Sequence, residues 1–312
     1  MAHSEQSFDV AIIGGGPAGI SAGIYAARRG LNVIVFEGKL LGGAMNEATE
    51  VDNWPGAPKA HGMELAQKFS DHLKTFPVTI KEGMVMEAKA HAGGGFSIKT
   101  ADGAYSAKTV ILATGAKMQS LGAKGEKEFA GKGVSYCATC DGYFFKDKRV
   151  AVVGGGDSAL SSAVYLSEIA KEVVLVHRRN EFRAVEELQA HVRELAKAGK
   201  IRLMLNSTVA EIKGNQFVES VVLEDAETKA RSEEKVDGLF IYVGAMPLSA
   251  LAQQLGVQLN EKGFARIGDG CTTNVPGVFA AGDVTGKLMQ ITMAVAQGAQ
   301  AALAAYDFLK KQ

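Results

Sequence analysis

The chain has 312 residues, of which 47% are hydrophobic, and its 34 basic side chains balance its 34 acidic ones. The neutral charge disfavours nucleic acid and anionic membrane surfaces as partners, since proteins that bind them usually carry a basic excess. The length suggests two domains, and three cysteines without an N-terminal signal sequence favour a cytoplasmic protein over a disulfide-rich secreted one.

The chain begins with a predicted βαβ unit around a glycine-rich turn. Its parts are a buried strand over Phe8–Ile13, the G-x-G-x-x-G turn Gly14–Gly19, a helix over Ala18–Arg29 and a strand over Asn32–Phe36. In such a turn the glycines allow a tight bend, close approach of a pyrophosphate, and close packing of helix on strand. Glu37 follows the second strand, where its carboxylate can accept hydrogen bonds from ribose hydroxyls. The unit therefore predicts a site for an adenosine diphosphate with a free ribose, as in FAD.

The sequence contains two groups of short runs with high β-strand propensity, one after each βαβ unit. The first group predicts a small antiparallel sheet and consists of Met84–Ala88, Phe96–Thr100 and Ala104–Val110. The second group predicts a similar arrangement in the second domain and consists of Ile201–Leu205, Val209–Ile212, Gln216–Leu223 and Lys235–Val243. An amphipathic helix is predicted over Glu186–Gly199.

Cys137 and Cys140 form a C-x-x-C motif with Asp141 directly after it. The motif is typical either of half a zinc site or of a redox-active dithiol. Zinc normally needs four ligands, and Cys271 lies far away in sequence, so we expect no metal and interpret Cys271 as a small buried apolar residue. A purely structural disulfide is the other alternative, although it is unusual in a reducing cytosol. As a redox centre the pair would need hydride from a flavin or nicotinamide, and Asp141 would either transfer protons or serve as a turn residue.

The βαβ plan recurs about 140 residues after its first copy. Its parts are a strand over Arg149–Val153, the turn Gly154–Ala159, a helix over Leu160–Ile169 and a strand over Glu172–Val176. No acid follows this second strand; basic residues stand there instead, namely His177, Arg178, Arg179 and Arg183. Arginines pair bidentately with a 2′-phosphate, which an acid would repel. The second unit therefore predicts NADPH rather than NADH, unless the arginines are only a solvated basic face.

Two uncharged stretches, Val10–Ala27 and Leu288–Tyr306, approach the length of a membrane span. The first contains the helix-breaking run Gly14–Pro17, and the second carries several polar side chains, including Gln290 and Gln297. About 20 predominantly apolar residues are needed to cross a bilayer. We therefore predict no membrane-spanning segment.

Together these motifs resemble those of the low-molecular-weight thioredoxin reductases, in the expected order over residues 8–308. The matching segments are Gly14–Gly19 with Glu37, Asn53–Gly56, Ala113–Gly115, Cys137–Gly142, Gly154–Ala159, His177–Ala184 and Gly277–Asp283. The resemblance implies a homodimeric α/β flavoprotein with two Rossmann-like, three-layer nucleotide-binding domains, the second inserted in the first. The FAD-binding domain would comprise residues 1–117 and 247–312, and the NADPH-binding domain residues 118–246 with the dithiol.

The resemblance also assigns roles to particular residues. Electrons would pass from NADPH through FAD to the Cys137–Cys140 disulfide and then to thioredoxin. Cys140 would face the flavin, Cys137 would attack thioredoxin, and Asp141 would shuttle the proton. The implied FAD contacts are Gly14, Gly16, Pro17, Ala18, Gly19, Glu37, Gly42, Gly43, Asn53, Thr114, Gly115, Asp283, Gln290 and Ile291. The implied NADPH contacts are Gly154, Gly156, Asp157, Ser158, His177, Arg178, Arg179 and Arg183.

In this family the NADPH-binding domain rotates so that the dithiol and the nicotinamide reach the flavin in turn. The resemblance implies hinges for this rotation near Lys117–Gly122 and Gly244–Pro247. Two segments depart from the family pattern: Gly42-Gly43-Ala44-Met45 replaces a Gly-Gly-Gln-Leu-type run, and Met289-Gln290 replaces an Arg-Gln pair.

The alternative functions are a flavin disulfide reductase with another small protein partner or electron donor, a dithiol oxidase, or a flavin-bound redox sensor. The arginine cluster favours the NADPH-dependent enzyme over the oxidase.

Overall fold

The computed structural model describes residues 6–48, 51 and 53–312. The fold divides into two compact units, one formed by the residues up to Lys117 together with Met246–Gln312, the other by Met118–Ala245. Each unit contains a parallel sheet with helices packed on it, which confirms the predicted α/β class of Rossmann-like architecture.

The strands of the described residues are β1 (Gln6–Ile13), β2 (Val33–Glu37), β3 (Val78–Glu82), β4 (Val85–Ala90), β5 (Phe96–Thr100), β6 (Gly103–Leu112), β7 (Ala116–Met118), β8 (Val134–Ser135), β9 (Arg149–Val153), β10 (Glu172–Val176), β11 (Ile201–Met204), β12 (Ser207–Gly214), β13 (Val218–Asp225), β14 (Arg231–Lys235), β15 (Gly238–Ile241), β16 (Ala245–Pro247) and β17 (Val278–Ala280). The α-helices are α1 (Pro17–Arg28), α2 (Gly62–Lys74), α3 (Ala138–Asp141), α4 (Asp157–Ser167), α5 (Glu186–Lys197), α6 (Ala250–Gln254) and α7 (Ile291–Lys310). Short 3₁₀ turns span Gly43–Glu47, Gly142–Phe145, Asp269–Cys271 and Asp283–Thr285.

The sheet of the first unit is centred on β1, which pairs in parallel with β2 on one side and β6 on the other. Strand β3 extends the sheet beyond β2, and β17 pairs in parallel with the end of β6. Alternate residues of β1 enter opposite cores: Val10 and Ile12 face the cluster that contains α1 and α7, whereas Ala11 and Ile13 face the cluster that contains β4, β5 and α6. The unit is therefore three layers thick, with β1 buried on both faces.

The first antiparallel group does not form a sheet of its own. Strands β4 and β5 pair antiparallel, and β5 pairs antiparallel with the first half of β6, from Gly103 to Ala107. The second half of the same strand, from Val110 to Leu112, pairs with β17. The predicted antiparallel strands are therefore present, but they form part of the large sheet of the first unit, because one ten-residue strand belongs to both arrangements.

The second unit contains a five-stranded parallel sheet with the order β11-β10-β9-β15-β8 and an antiparallel sheet with the order β12-β13-β14. Two runs that we assigned to antiparallel strands, Ile201–Leu205 and Lys235–Val243, supply the parallel strands β11 and β15 instead. A short apolar run does not specify its partner strand. Here β11 follows helix α5 and returns beside β10, as a βαβ crossover requires.

The two uncharged stretches do not provide membrane spans. The first, Val10–Ala27, is divided between β1, the glycine-rich turn and α1. Among the described residues, no helix combines the length and the apolar character needed to cross a bilayer.

Gly298 generates a prediction about how α7 packs on α1. A Cβ at this position would overlap the carbonyl oxygen of Ala18, which is backbone and cannot move aside as a side chain could. Glycine to alanine within a helix normally stabilises a protein by up to about 1 kcal/mol. We expect the opposite for Gly298→Ala, a loss of about 1–3 kcal/mol in the free energy of unfolding measured in urea.

The matched control is Gly93→Ala, since a Cβ at that position would meet nothing within 4 Å. Its free energy of unfolding should stay within about 0.5 kcal/mol of the parent. A Gly298→Ala protein as stable as the control would show that the helices do not depend on this contact.

Candidate functional site

The glycine-rich turn of the first unit is fixed by backbone contacts on both sides. At Gly14 the backbone has φ +111°, and a Cβ would overlap the carbonyl oxygen of Ala113; at Gly19 a Cβ would overlap the carbonyl oxygen of Gly14. Helix α1 begins directly after the turn, with Gly16 as its N-cap and Pro17 as its first residue. No side chain of the described residues caps this helix. Its first N–H groups therefore form an anion-binding end that suits a pyrophosphate.

Glu37 and Gly42 hold the same turn from the side of β2. The Glu37 Oε2 accepts a hydrogen bond from the Gly15 N–H at 2.8 Å, and its Oε1 accepts one from the Lys39 N–H at 2.7 Å. The Gly42 N–H donates to the carbonyl of Gly15 at 2.7 Å. A carboxylate has about four acceptor positions. Two positions on Glu37 thus remain for the hydroxyls of a ribose.

The loop after β17 brings Asp283 to this turn. A Cβ on Gly282 would lie 2.9 Å from the Cβ of Ala18, and the Gly282 N–H donates to Oε1 of the buried Gln297 at 2.7 Å. Burial raises the pKa of Asp283, and within the described part of the chain no donor satisfies its carboxyl group. A largely buried carboxyl without a donor fits a hydroxyl group of a bound ligand.

The other predicted FAD residues also lie in this unit. Asn53 donates through Nδ2 to Oε1 of Gln290 at 2.9 Å, and Gln290 is the N-cap of α7, whose first residue is Ile291. Thr114 donates its hydroxyl to the carbonyl of Leu248 at 2.7 Å. Gly43, with φ +54°, lies against the Gly16 backbone, and Gly115 has φ +76°. These residues therefore lie in the same unit as the first glycine-rich turn.

The second glycine-rich turn, in the other unit, leads into α4. A Cβ on Gly154 would lie 2.5 Å from the carbonyl oxygen of Tyr242, whereas one on Gly156 would meet nothing within 4 Å. Gly156 is the N-cap of α4, and no side chain of the described residues caps it. The exposed Asp157 accepts the Val185 N–H at 2.8 Å, and Ser158 is exposed beside it. This turn too presents open backbone N–H groups to an anion.

The basic residues after β10 divide into one buried histidine and three exposed arginines. His177 is 4% exposed, stacks on Phe182 and lies with its ring against Gly155. Burial lowers its pKa, so the ring is a neutral support for the turn. The arginine ion pairs of the described residues involve Arg149, Arg193, Arg202 and Arg231.

Arg178, Arg179 and Arg183 are exposed and belong to none of those pairs. Within the described residues their guanidinium groups have no carboxylate partner. Three such groups beside a dinucleotide turn fit a 2′-phosphate, which two of them can hold bidentately.

Cys137 and Cys140 form a disulfide at the start of α3, with their Cα atoms 5.3 Å apart. The 3₁₀ turn that follows exposes two aromatic side chains, Tyr143 at 68% and Phe144 at 43%. The third cysteine, Cys271, is buried in the other unit, and burial raises its pKa to about 11. The expectation that Cys271 is a small buried residue is confirmed, and its thiol has little thiolate at neutral pH.

Two residues that we did not identify from the sequence surround the dithiol. The Ser135 Oγ accepts the Cys137 N–H at 3.0 Å and donates to Oδ2 of Asp141 at 2.5 Å. The Tyr242 hydroxyl oxygen accepts the Ala138 N–H at 2.5 Å. Ser135 stands two residues before the motif and offered a local signal. Tyr242 offered none, because it reaches α3 only through the arrangement of the parallel sheet.

A third unpredicted residue, Glu126, is a buried carboxylate. Its oxygens accept hydrogen bonds at 2.7–2.9 Å from the hydroxyls of Ser120 and Tyr136 and the N–H groups of Leu121 and Gly122. Burial alone would raise the pKa of Glu126, but these donors outweigh it and lower the pKa overall. Residues 120–122, which we placed in a hinge, are thus tied to the second unit.

The sequence and the fold are both similar to those of known proteins. The sequence profile of the pyridine nucleotide-disulphide oxidoreductases matches residues 8–298. A thioredoxin reductase of Bacillus subtilis (strain 168) is 41% identical, covering 98% of this chain and 96% of its own, and one of Peptoclostridium litorale is 40% identical with 98% of each chain covered. The crystal structure of thioredoxin reductase from Streptococcus pyogenes, 41% identical, covers 99% of this chain and 100% of its own with a TM-score of 0.91.

The buried His177 generates a prediction about pH. Its pKa in the folded chain lies below the usual value of about 6.5, so the unfolded chain binds the proton first as the pH falls. The free energy of unfolding should therefore decrease as the pH falls from about 6.5 towards the lowered pKa. We expect His177→Gln to flatten this part of the pH profile in urea unfolding, since glutamine takes up no proton there.

The exposed His191 supplies the control. His191→Gln should leave the pH profile of the parent unchanged. Equal slopes for the parent and His177→Gln would show that His177 does not titrate differently in the two states.

Proposed function

Because the chain belongs to the pyridine nucleotide-disulphide oxidoreductase family, we propose that it is an NADPH-dependent thioredoxin reductase. In this function the electrons of NADPH pass through FAD to the Cys137–Cys140 disulfide and on to oxidised thioredoxin. The observation that carries the proposal is this disulfide, placed beside exposed aromatic side chains in the unit that holds the arginine-flanked dinucleotide turn.

We assign FAD to the first unit, residues 1–117 and 247–312. When bound, FAD supplies a relay of two electrons between a nicotinamide and a disulfide. The N–H groups at the start of α1 would hold its pyrophosphate, Glu37 its ribose and Asp283 a further hydroxyl. Gly14 and Gly19 keep the turn in place. The remaining contacts are assigned to Gly16, Pro17, Ala18, Gly42, Gly43, Asn53, Thr114, Gly115, Gln290 and Ile291.

We assign NADPH to the second unit, residues 118–246. The turn Gly154–Ser158 would bind its pyrophosphate. The guanidinium groups of Arg178, Arg179 and Arg183, which have no carboxylate partner in the described part of the chain, would bind its 2′-phosphate. The buried His177 supports the turn through Gly155. This donor set favours NADPH over NADH, since NADH lacks the phosphate that the arginines would pair with.

The dithiol reduces its substrate by exchange of sulfur–sulfur bonds. The Cys137 thiolate attacks the disulfide of thioredoxin, so that one bond breaks in thioredoxin and a mixed disulfide forms. Cys140 then attacks Cys137, which restores the internal disulfide and releases thioredoxin with two thiols. Asp141, within the same turn, gives and takes the protons that the two departing sulfurs require.

The surroundings of the dithiol support a protein substrate. Tyr143 and Phe144 follow the motif with large exposed fractions, and aromatic side chains are enriched at protein–protein interfaces.

We also propose that the chain acts in the cytoplasm as a homodimer. Exposed apolar side chains in the first unit, among them Leu40, Met63 and Met84, are consistent with a subunit interface.

The arginine assignment is tested by the variant Arg178→Ala/Arg179→Ala. A hydrogen bond to a charged group contributes about 1.5–3 kcal/mol. We therefore expect the KM for NADPH to rise at least about tenfold, with the KM for NADH within about threefold of the parent. Arg193→Ala is the control, since Arg193 is already paired with Glu186. An equal loss with both nucleotides would refute binding of the 2′-phosphate by this cluster.

The function itself is tested by Cys137→Ser and Cys140→Ser. Each variant should bind FAD and be bleached by NADPH under anaerobic conditions, because neither side chain lies in the FAD-binding or NADPH-binding residues. Oxidation of NADPH by thioredoxin should fall by at least about 10³-fold, since the exchange needs both sulfurs. Cys271→Ala should keep the parent's activity. A parent that does not reduce thioredoxin, or serine variants that do, would contradict the proposed function.

A further inference from the structure

Ser135 joins the backbone of one cysteine to the carboxyl group of Asp141. It ends strand β8 and is only 6% exposed. Its hydroxyl oxygen accepts the Cys137 N–H at 3.0 Å and donates its single proton to Oδ2 of Asp141 at 2.5 Å. The carbonyl oxygen of Cys137, at 3.4 Å, is the poorer acceptor for that proton.

We propose that Ser135 is a positioning residue for thiol–disulfide exchange, and that it holds the Asp141 carboxyl group in place for proton transfer through the hydrogen bond to Oδ2. The proposal rests on the proposed function and on the assignment of Asp141 as its proton carrier. A carboxyl group that accepts a hydrogen bond from a buried serine is restricted in its rotation. The same hydroxyl ties this carboxyl group to the main chain of Cys137, so that the acid and the attacking sulfur keep a fixed relation.

The protons and electrons of the exchange balance as follows. The reduced site begins with the Cys137 thiolate, the Cys140 thiol and a protonated Asp141. When the thiolate attacks, the sulfur that leaves thioredoxin receives the carboxyl proton of Asp141, and Asp141 becomes a carboxylate that keeps the hydrogen bond from Ser135. The carboxylate then takes the Cys140 proton and passes it to the second departing sulfur. Two electrons and two protons have moved from the site to thioredoxin.

The titratable groups around Asp141 come from each element packed on α3. Tyr242, after β15, accepts the Ala138 N–H and faces the Asp141 charge; burial raises its pKa, so it stays protonated. The ring of Tyr165 in α4 lies near Gly142: a Cβ on Gly142 would be 3.1 Å from this ring. The two cysteines of the motif lie in the same short helical segment. Of these groups, Asp141 alone is a carboxylic acid.

The chain contains a matched serine away from the dithiol. Ser220, in the antiparallel sheet of the same unit, is also 6% exposed and donates its hydroxyl to Oε1 of Glu233 at 2.6 Å. Ser220→Ala removes a hydrogen bond of the same kind, from a hydroxyl to a carboxylate, at the same exposure. Ser220→Ala therefore measures the effect of losing a hydrogen bond from a hydroxyl to a carboxylate where that bond has only a structural role.

The experiment mixes the reduced holoenzyme with oxidised thioredoxin in single-turnover reactions across the pH range. The variants are Ser135→Ala, Ser135→Thr, Ser220→Ala, Asp141→Ala and the double variant Ser135→Ala/Asp141→Ala. We expect Ser135→Ala to slow the exchange about tenfold. It should also move the pH midpoint of the exchange to higher pH, since the ionised carboxylate loses a donor that favours it. Reduction of the flavin by NADPH should be unchanged.

Two comparisons separate positioning from general destabilisation. Ser135→Thr keeps the hydroxyl and should restore the rate to within about threefold of the parent. In the Asp141→Ala background, Ser135→Ala should have no further effect, because the residue acts through Asp141. Ser220→Ala should match the parent in rate and pH midpoint.

The outcomes distinguish this proposal from the proposed function. A parent that does not reduce thioredoxin contradicts the function. If the parent is active, the positioning role is overturned by an unchanged pH midpoint in Ser135→Ala, by a threonine variant as slow as the alanine variant, or by an undiminished effect in the Asp141→Ala background. If Ser135→Ala fails to retain FAD, the pH midpoint of the threonine variant decides: a midpoint above that of the parent contradicts the proposal.

Discussion

The rest of the first unit depends on the close contact of backbone with backbone at the start of α1. Gly14 and Gly19 meet carbonyl groups where any side chain would overlap, and Gly298 brings α7 against Ala18 in the same way. This contact aims the free N–H groups of α1 at a single point and places the Asp283 loop beside them. A side chain in the turn would both separate the layers and cover the groups that a nucleotide needs.

Each unit adds its own charge to such a turn, and we propose that this charge distinguishes the nucleotides. Glu37 occupies the strand end in the first unit and is already oriented by two backbone N–H groups. The second unit places exposed arginines at the corresponding strand end and keeps His177 neutral beneath the turn. We propose that the same backbone geometry binds two nucleotides with different ribose groups. The dithiol lies in the unit with the arginines.

The parts of this protein that could be predicted from its sequence are those whose cause is local. The strands Arg149–Val153 and Glu172–Val176, the two glycine turns and the C-x-x-C motif are each specified by neighbouring residues. The pairing of β6 with its neighbour β5 was predicted, but its pairings with β1 and β17 were not, since those strands are distant in the chain. Tyr242 contacts α3 only through tertiary structure. Glu126 takes its donors from nearby residues, but no motif in the sequence marks that loop.

The central claim is that the Cys137–Cys140 disulfide carries electrons in turnover, and counting thiols tests it most directly. The anaerobic holoenzyme is quenched in acid and denatured before and after reduction with NADPH, and its free thiols are titrated. With three cysteines in the chain, the count should rise from one to three, and oxidised thioredoxin should return it to one. A count that stays at one after NADPH has bleached the flavin would show that the disulfide is only structural.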